Sequence, residues 1–263
     1  MERISSRQNP VVKRFREAAR HASRDWMLLD GEHLIDEALT SGVRLDVAAF
    51  GDGLAEGRLA PLAARTARAG TTTIAVTDPV LAAMSPARTP SGVVAIAERR
   101  PVTLDEVFER KPSMILMLSE LQDPGNVGAI VRAAEACGAT GIVTSERTAD
   151  PFGWKALRGA MGSTFRLPVA AGQSLAAAVD RARANGLRVF ATAARDGTPL
   201  AACDLRGPSV ILLGGEGAGL PPDLLEASDE RLTIPMRPPV ESLNVAIAAA
   251  LILYEASRQR ERH

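Results

Sequence analysis

Residues whose types could do chemistry concentrate in three segments in the second half of the chain, each flanked by apolar runs. The first segment, from Asp123 to Val143, places Asn126 and Arg132 on one predicted helix. A guanidinium can bind a phosphate or orient a hydroxyl group, but arginine ordinarily keeps its proton up to about pH 12. The alternative interpretation is structural, with Asn126 capping the helix and an exposed Arg132 paired with Glu135 at i+3.

The second segment, from Ile211 to Leu220, is a glycine-rich turn that follows a predicted strand and precedes a helix opened by prolines. Glycines let a ligand lie directly against the backbone, so the turn predicts a binding site. A dinucleotide-binding turn has the same order of elements. Its GxGxxG spacing is absent here, and the turn lies too late in the chain to open a first βαβ unit.

The third segment, from Ile234 to Glu255, is extended by its prolines until Ser242 or Glu241 begins a long closing helix. Apolar residues lie on opposite faces of this helix, as Ile247 and Ile252 do, which predicts burial on all sides. A second subunit packed against the helix would provide that burial. A simple N-cap is the alternative role for Ser242.

Composition excludes several classes of function. Lys plus Arg and Asp plus Glu each total 31, so no global charge favours nucleic acid. Residues 1–24, however, hold seven cations against two acidic residues, which predicts either a local nucleic-acid footprint or a solvated helix face. The three histidines and two cysteines lack the spacing of a nucleophile pair, a metal site or a disulfide framework. No stretch resembles a signal peptide or membrane span, so a soluble, cytoplasmic protein without metal is expected.

The elements that must position these residues alternate between helical and strand-like patterns, which predicts two α/β domains. In the first half we predict four helices and four strands. The helices are Pro10–His21, Glu32–Thr40, Pro61–Ala69 and Val80–Met84, and the strands are WMLLD, LDVAAF, TTTIAV and GVVAIA.

The predicted domains are residues 1–100 and 113–263, joined by a linker at 101–112, where the chain is charged and rich in proline. Continuous apolar strands in the second domain predict a mostly parallel sheet covered on both faces. Those strands are SMILML, TGIV, FRLPVA, LRVFAT, SVILL and RLTIP.

Taken together, the three segments resemble the SpoU, or TrmH, family of RNA 2'-O-methyltransferases. The resemblance implies a C-terminal SPOUT domain with a parallel sheet and a deep trefoil knot, S-adenosyl-L-methionine as cofactor, and a homodimer formed through that domain. By position, Arg132 matches the family's catalytic arginine, which acts on the ribose 2'-hydroxyl as base or orienting group, in its own subunit or across the dimer. The other matching active-site positions are Asn126, Glu216, Ser242 and Asn244.

The resemblance also implies binding residues. Those expected around the cofactor are Thr192, Leu213, Gly214, Gly215, Gly217, Ile234, Met236 and Leu243. The segment from Trp154 to Val169 is similar to an RNA-binding stretch of the family, with Lys155, Arg158 and Ser163 as candidates; Ala160 departs from its usual serine. An exposed helix face and its C-cap are the alternative for these positions.

The N-terminal domain resembles the accessory substrate-binding domain of many rRNA-modifying members, a small α/β fold. Arg7, Asn9, Lys13 and Arg14 are its candidate RNA contacts. Because simpler tRNA-modifying members often lack this domain, rRNA is the favoured substrate, and 23S is favoured over 16S. The alternatives are a tRNA 2'-O-methyltransferase, a noncatalytic RNA-binding or ribosome-assembly factor of the same fold, and a nucleotide-dependent oxidoreductase.

Overall fold

The computed structural model describes residues 1–20, 24–111, 113–217 and 219–261. By its internal contacts the chain forms two compact units. The first comprises residues 1–101 together with 152–165, and the second comprises 102–151 together with 166–263. The helical segment 152–165 is therefore part of the first unit, although it lies far along the sequence from the rest of that unit.

The first unit is built on a mixed five-stranded sheet in the order β1-β4-β3-β5-β2. Its strands are β1 (Glu2–Ile4), β2 (Trp26–Asp30), β3 (Leu45–Gly51), β4 (Thr72–Val76) and β5 (Val93–Glu98). Its helices are α1 (Pro10–Arg20), α2 (Glu32–Thr40), α3 (Ala60–Arg68), α4 (Asp78–Met84) and, from the later segment, α7 (Trp154–Ala160). Strand β5 runs antiparallel to both neighbours, while β3 and β1 run parallel to β4.

Every helix and strand predicted for the first hundred residues is present, and β1 is an additional strand that the sequence pattern did not indicate. Three residues are too few to show a periodicity, which is why β1 was missed. The predicted end of α1 at His21 lies outside the described residues. At the end of β2 the buried Asp30 accepts a hydrogen bond from Ser91 Oγ at 3.0 Å and another from Ser85, so its carboxylate is satisfied inside the unit.

The second unit contains seven strands, all of whose pairings are parallel, in the order β10-β12-β9-β11-β6-β7-β8. Its strands are β6 (Met114–Ser119), β7 (Gly141–Ser145), β8 (Val169–Gln173), β9 (Arg188–Thr192), β10 (Thr198–Pro199), β11 (Ser209–Gly214) and β12 (Glu230–Thr233). Its helices are α5 (Leu104–Glu109), α6 (Pro124–Ala136), α8 (Leu175–Ala184), α9 (Pro222–Glu226) and α10 (Val245–Arg260). The predicted parallel sheet is thus confirmed.

Strand β6 shows why this sheet needs cover on both faces. All six of its residues are buried, and Ile115 and Met117 pack in one core cluster with residues of α5 and α8. Leu116 and Leu118 point to the opposite face because strand residues alternate, and they are also fully buried. A continuous apolar strand is the sequence signature of this two-sided burial.

Three elements differ from prediction. The strand expected at FRLPVA starts only at Val169, because Ser163–Phe165 form a 3-10 turn. Strand β10 was not predicted. The segment at 101–112 contains α5, which begins with a capping box between Thr103 and Glu106 and buries Val107 and Phe108 in the core of the second unit.

The strand order and pairing do not by themselves establish a trefoil knot, so the knot stays a prediction. Over the described ranges, no helix is both long and apolar enough to cross a membrane.

Candidate active site

A cavity of about 580 Å³ opens in the second unit where β9, β11 and β12 end. Parallel sheets ordinarily bind ligands at this carboxyl edge. Five stretches form its walls: the end of β9, the end of β11 with the glycine turn, α9, the end of β12 with the segment after it, and the first half of α10 with the residues before it. The lining residues are Thr192, Ala193, Ala194, Leu213, Gly214, Gly215, Glu216, Gly217, Gly219, Leu220, Leu225, Leu232, Ile234, Met236, Ser242, Leu243, Asn244, Val245, Ala248 and Ile252.

The glycine turn forms one wall because its backbone folds back on itself. Gly215 and Gly219 form an antiparallel bridge, and the Gly219 N–H donates to the Gly215 carbonyl at 3.2 Å. A Cβ on Gly214 would overlap the backbone of Gly219 and Leu220, and one on Gly215 would lie 2.7 Å from the Glu120 carbonyl oxygen. Only glycine fits these two positions, so main-chain groups face the cavity.

A polar chain of three side chains lies at the cavity. Asn244 Oδ1 accepts the backbone N–H groups of Ala246 and Ile247, at 2.9 and 3.3 Å. Asn244 Nδ2 then donates to Asn126 Oδ1 at 3.1 Å, and Asn126 Nδ2 donates to Glu216 Oε1. Thus α10, α6 and the glycine turn are joined through side chains at one point.

Two predictions about helix starts are wrong. Asn126 does not cap α6, because Asp123 Oδ1 accepts the Gly125 N–H at 2.7 Å and is the cap. The closing helix does not begin at Ser242 or Glu241; its N-cap is Asn244. Ser242 instead lines the cavity, which removes the N-cap alternative for that residue.

Arg132 stands apart from this cluster. It is exposed on α6 and does not line the cavity, and its side chain has no hydrogen bond or ion pair with any described residue. The structural alternative, a pair with Glu135, is absent. Glu135 is bound by Arg166 instead, whose Nε and Nη2 donate to its two oxygens at 2.6 and 2.9 Å.

All eight residues predicted to surround the cofactor line the cavity, as do Glu216, Ser242 and Asn244. Sequence reasoning missed several apolar lining residues that belong to the same walls, namely Ala193, Ala194, Leu220, Leu225, Leu232, Val245, Ala248 and Ile252. The available signal was that most of them follow the end of a strand or lie one helical turn apart on α10. Without the fold, this pattern is the same as ordinary core packing.

Three of the four RNA contacts predicted near the N-terminus form hydrogen bonds or close ion pairs within the first unit. Arg14 pairs with Asp46 at 2.6 Å and lies 6.0 Å from the centre of the Trp26 ring, and Arg7 Nε donates to the Pro79 carbonyl at 3.0 Å. Asn9 Oδ1 accepts the Val11 N–H at 2.9 Å, so it caps α1. Lys13 is 78% exposed and has only a loose pair with Glu17 at 3.7 Å.

On α7, Lys155 and Arg158 are both exposed, and the Lys155 ammonium lies 5.6 Å from the centre of the Trp154 ring. The helix ends at Met161 in the left-handed conformation, so Met161 rather than Ser163 is the C-cap. Ser163 is buried in the following turn.

Elsewhere in the second unit, burial raises the pKa of the Cys203 thiol to about 11, and the neighbouring Glu230 carboxylate adds to the shift. Cys203 lies outside the cavity lining. Within the described part of the chain, no three His, Cys, Asp or Glu side chains are grouped so as to hold a metal ion.

The parallel sheet and the cavity at its carboxyl edge define an α/β protein with a cleft in the place where such folds bind ligands. Two family models match: the SpoU rRNA Methylase family over residues 113–254 and the MRM3-like substrate binding domain over residues 9–95. The chain therefore belongs to the SpoU rRNA methylase family, as the motifs indicated.

Similar proteins cover almost the whole chain. The 23S rRNA (guanosine(2553)-2'-O)-methyltransferase RlmP of Bacillus subtilis is 32% identical over 97% of this chain and 98% of its own length. An uncharacterized tRNA/rRNA methyltransferase of Synechocystis is 36% identical over 98% of this chain and 94% of its own length.

Two solved structures share the fold. The AdoMet-bound rRNA methyltransferase of Sinorhizobium meliloti has a TM-score of 0.86 and 30% identity, covering 98% of this chain and 97% of its own. The SpoU methyltransferase AviRb of Streptomyces viridochromogenes, in complex with AdoMet, has a TM-score of 0.86 and 27% identity, covering 97% and 99%. The protein is an RNA 2'-O-methyltransferase with S-adenosylmethionine as cofactor, so the oxidoreductase and noncatalytic interpretations are set aside.

Proposed function

We propose that this enzyme methylates the 2'-oxygen of a ribose in 23S rRNA. Support comes from the similarity to RlmP along the whole chain and from the match of residues 9–95 to a substrate-binding domain. We also propose that the domain of residues 1–100 binds RNA and that residues 113–263 form the catalytic domain, with α5 of the joining segment 101–112 packed into its core. The proposed location is the cytoplasm. The observation that carries the proposal is the convergence of all predicted cofactor residues on one cavity beside a chain of polar side chains.

The cavity suits S-adenosylmethionine. Its glycine wall offers main-chain polar groups, while Leu213, Ile234, Met236 and Leu243 supply apolar cover for a flat ring. When bound, this cofactor supplies a methyl group on a positively charged sulfur. The chain's own contribution is therefore to hold the ribose oxygen in line with that methyl group and to exclude water.

We propose that Arg132 acts on the RNA hydroxyl or on a phosphate beside it. The hydroxyl must lose its proton as its oxygen forms the new bond to carbon. A bound phosphate oxygen could take that proton while the guanidinium holds the phosphate in place. Because Arg132 is exposed and outside the cavity lining of its own chain, we propose that it serves the cavity of a second copy.

A second copy is also supported by an apolar stripe on α10. Ile247, Leu251 and Tyr254 are 54%, 43% and 65% exposed and lie at i, i+4 and i+7, so they share one face. We propose that this face forms a homodimer interface. Sedimentation should then give a dimer that Leu251→Asp converts to monomer. Ala177→Asp, at an exposed position of α8, should leave it dimeric. A monomeric parent protein would contradict the proposal.

The function is tested by transfer of labelled methyl from S-adenosylmethionine to unmodified 23S rRNA, 16S rRNA, tRNA and ribosomal subunits. A 2'-O-methyl product makes the adjacent linkage resistant to alkali. We expect alkali-resistant label in 23S rRNA. Label only in tRNA or 16S rRNA would contradict the proposed substrate.

Arg132→Ala should lower kcat by about a hundredfold or more, the usual range for losing proton-transfer assistance, while cofactor affinity stays near the parent value. Arg181→Ala is the matched control, because this arginine is exposed on α8 and bonded to Asp105. Full turnover in Arg132→Ala would remove Arg132 from its proposed role.

A further inference from the structure

The polar chain at the cavity has a direction that is set by backbone groups. Asn244 must present Oδ1 to the N–H groups of Ala246 and Ile247, because only an oxygen can accept them. Its Nδ2 therefore points outward and donates to Asn126 Oδ1. This in turn leaves Asn126 Nδ2 to donate to Glu216. The first turn of α10 thus fixes the orientation of both amides.

We propose that Asn126 is a positioning residue, oriented by the N-terminus of α10 through Asn244, which holds the Glu216 carboxylate at the cavity as an acceptor for a ribose hydroxyl. This inference rests on the proposed methyl transfer. Glu216 Oε1 is occupied by Asn126, whereas no described residue donates to Oε2. That free oxygen is available to a hydroxyl group of the cofactor's ribose or of the RNA.

Holding Glu216 in this way has a structural reason. Glu216 is exposed on a turn with glycines on both sides, so its side chain and backbone have few packing contacts to fix them. The Asn126 amide comes from the first turn of α6, which follows β6, and β6 pairs in register with β11. Gly214 lies opposite Ser119 in that pairing, so the sheet brings the turn to the start of α6.

Asn244→Asp separates this role from helix capping. Aspartate caps a helix about as well as asparagine, so α10 should keep its cap and the Tm should not fall. An aspartate cannot donate, however, so Asn126 must either lose its partner or rotate and turn its oxygen toward Glu216. We expect kcat/KM to fall by about tenfold to a hundredfold, as for a lost hydrogen bond to a charged group. Hydrogen exchange in residues 214–217 should become faster.

The matched control is Ser174→Ala, which removes the cap of α8 at a residue outside the cavity lining. It should lower the Tm while leaving the exchange of the glycine turn and kcat/KM unchanged. If Asn244→Asp behaves like the parent in exchange, cofactor affinity and turnover, the proposed positioning is wrong.

The double variant Asn126→Asp with Glu216→Gln reverses the second hydrogen bond. The new aspartate can accept from both Asn244 and the glutamine amide, so protection of the turn from hydrogen exchange should return. Turnover should stay low because the carboxylate has moved from position 216 to 126. Recovery of kcat in this variant would show that the three hydrogen-bonded side chains only stabilise the turn, and would overturn the positioning role.

Glu216→Gln alone identifies the hydroxyl. If affinity for S-adenosylhomocysteine falls tenfold or more, the hydroxyl belongs to the cofactor. If kcat/KM for RNA falls by as much while affinity for S-adenosylhomocysteine is unchanged, the hydroxyl belongs to the RNA. No change in either quantity overturns the proposal. Exchange and cofactor affinity need no RNA. If the parent enzyme methylates no RNA, the proposed function is contradicted. Hydrogen exchange and cofactor affinity would still decide whether Asn126 positions Glu216.

Discussion

The cavity of the second unit and the basic surface of the first unit were both predicted from the sequence, and they differ in how their residues are used. At the cavity, all eight predicted cofactor residues converge on one space. On the first unit, two of the four RNA contacts predicted near the N-terminus, Arg7 and Arg14, bind other parts of their own unit, and Asn9 caps a helix. The sequence pattern therefore located the cavity residues better than it located available charge.

The reason is physical. A glycine after a buried strand has few roles, because it is usually needed only where another backbone or a ligand approaches closely. An arginine on a surface helix has many roles, since its long side chain can reach carboxylates, carbonyl oxygens or aromatic rings of its own domain. Counting cations thus overstates the charge that a surface offers to a phosphate backbone.

Gly214→Ala is the strongest test of the claim that the predicted glycine turn forms the cofactor cavity. The added methyl group would overlap the backbone of Gly219 and Leu220, so the turn must shift. We expect cofactor affinity to fall by at least about a hundredfold, or ~3 kcal/mol, measured by titration calorimetry. Gly207→Ala is the control, because nothing lies within 4 Å of its Cβ position and it is outside the cavity. Unimpaired binding in Gly214→Ala would mean that the turn is not a rigid wall.

The claim about the basic surface of the first unit is tested by comparing the RNA affinities of Lys13→Ala and Arg14→Ala. If available charge decides RNA affinity, Lys13→Ala should reduce the slope of log affinity against log salt by about 0.7 to 0.9. Arg14→Ala should leave the slope nearly unchanged, but it should lower unfolding free energy by up to about 1 kcal/mol through the lost pair with Asp46. Equal slope changes would show that Arg14 leaves Asp46 when RNA binds. The basic surface would then have been predicted from the sequence nearly as well as the cavity.

The last comparison concerns Cys203, a buried thiol of the second unit. Its pKa of about 11, against an ordinary value of 9.0, should make alkylation at pH 8 about a hundredfold slower than for a free thiol. The measurement uses a Cys137→Ser background, with the unfolded chain as control. Glu230→Gln should speed the reaction, because it removes the carboxylate that disfavours the thiolate. Reaction as fast as in the unfolded chain would contradict this burial.

The same thiol gives a pH dependence of stability. The folded state holds the proton more tightly than the unfolded state, so this contribution is complete below about pH 9 and is lost as the pH rises towards 11.

Most of the fold could be predicted because its strands and helices carry strong periodicity. The apolar run at Met114–Ser119 and the amphipathic pattern of Glu32–Thr40 each allow few interpretations. The failures were local. Strand β10 has two residues, and the start of α10 was misplaced because Ser242, Glu241 and Asn244 are all plausible caps in sequence.

The polar chain at the cavity could be predicted in its members but not in its connections. Asn126 and Asn244 are separated by 118 positions, and only the fold brings their amides together. Likewise, nothing local in the sequence shows that Arg166 takes Glu135 away from Arg132. Pairings between distant polar residues depend on tertiary structure, which a helical or strand period does not encode.

The backbone wall formed by the glycine turn also affects how readily mutations could give resistance to an inhibitor of this enzyme. A compound that contacts the main chain at Gly214 and Gly215 meets a surface with no side chain to exchange. Any replacement there adds a Cβ that collides with neighbouring backbone, so a substitution that weakens the compound should also weaken the cofactor. Escape from such a compound would have to arise at side chains such as Leu243 or Met236, and an inhibitor confined to the glycine wall should be slow to meet resistance.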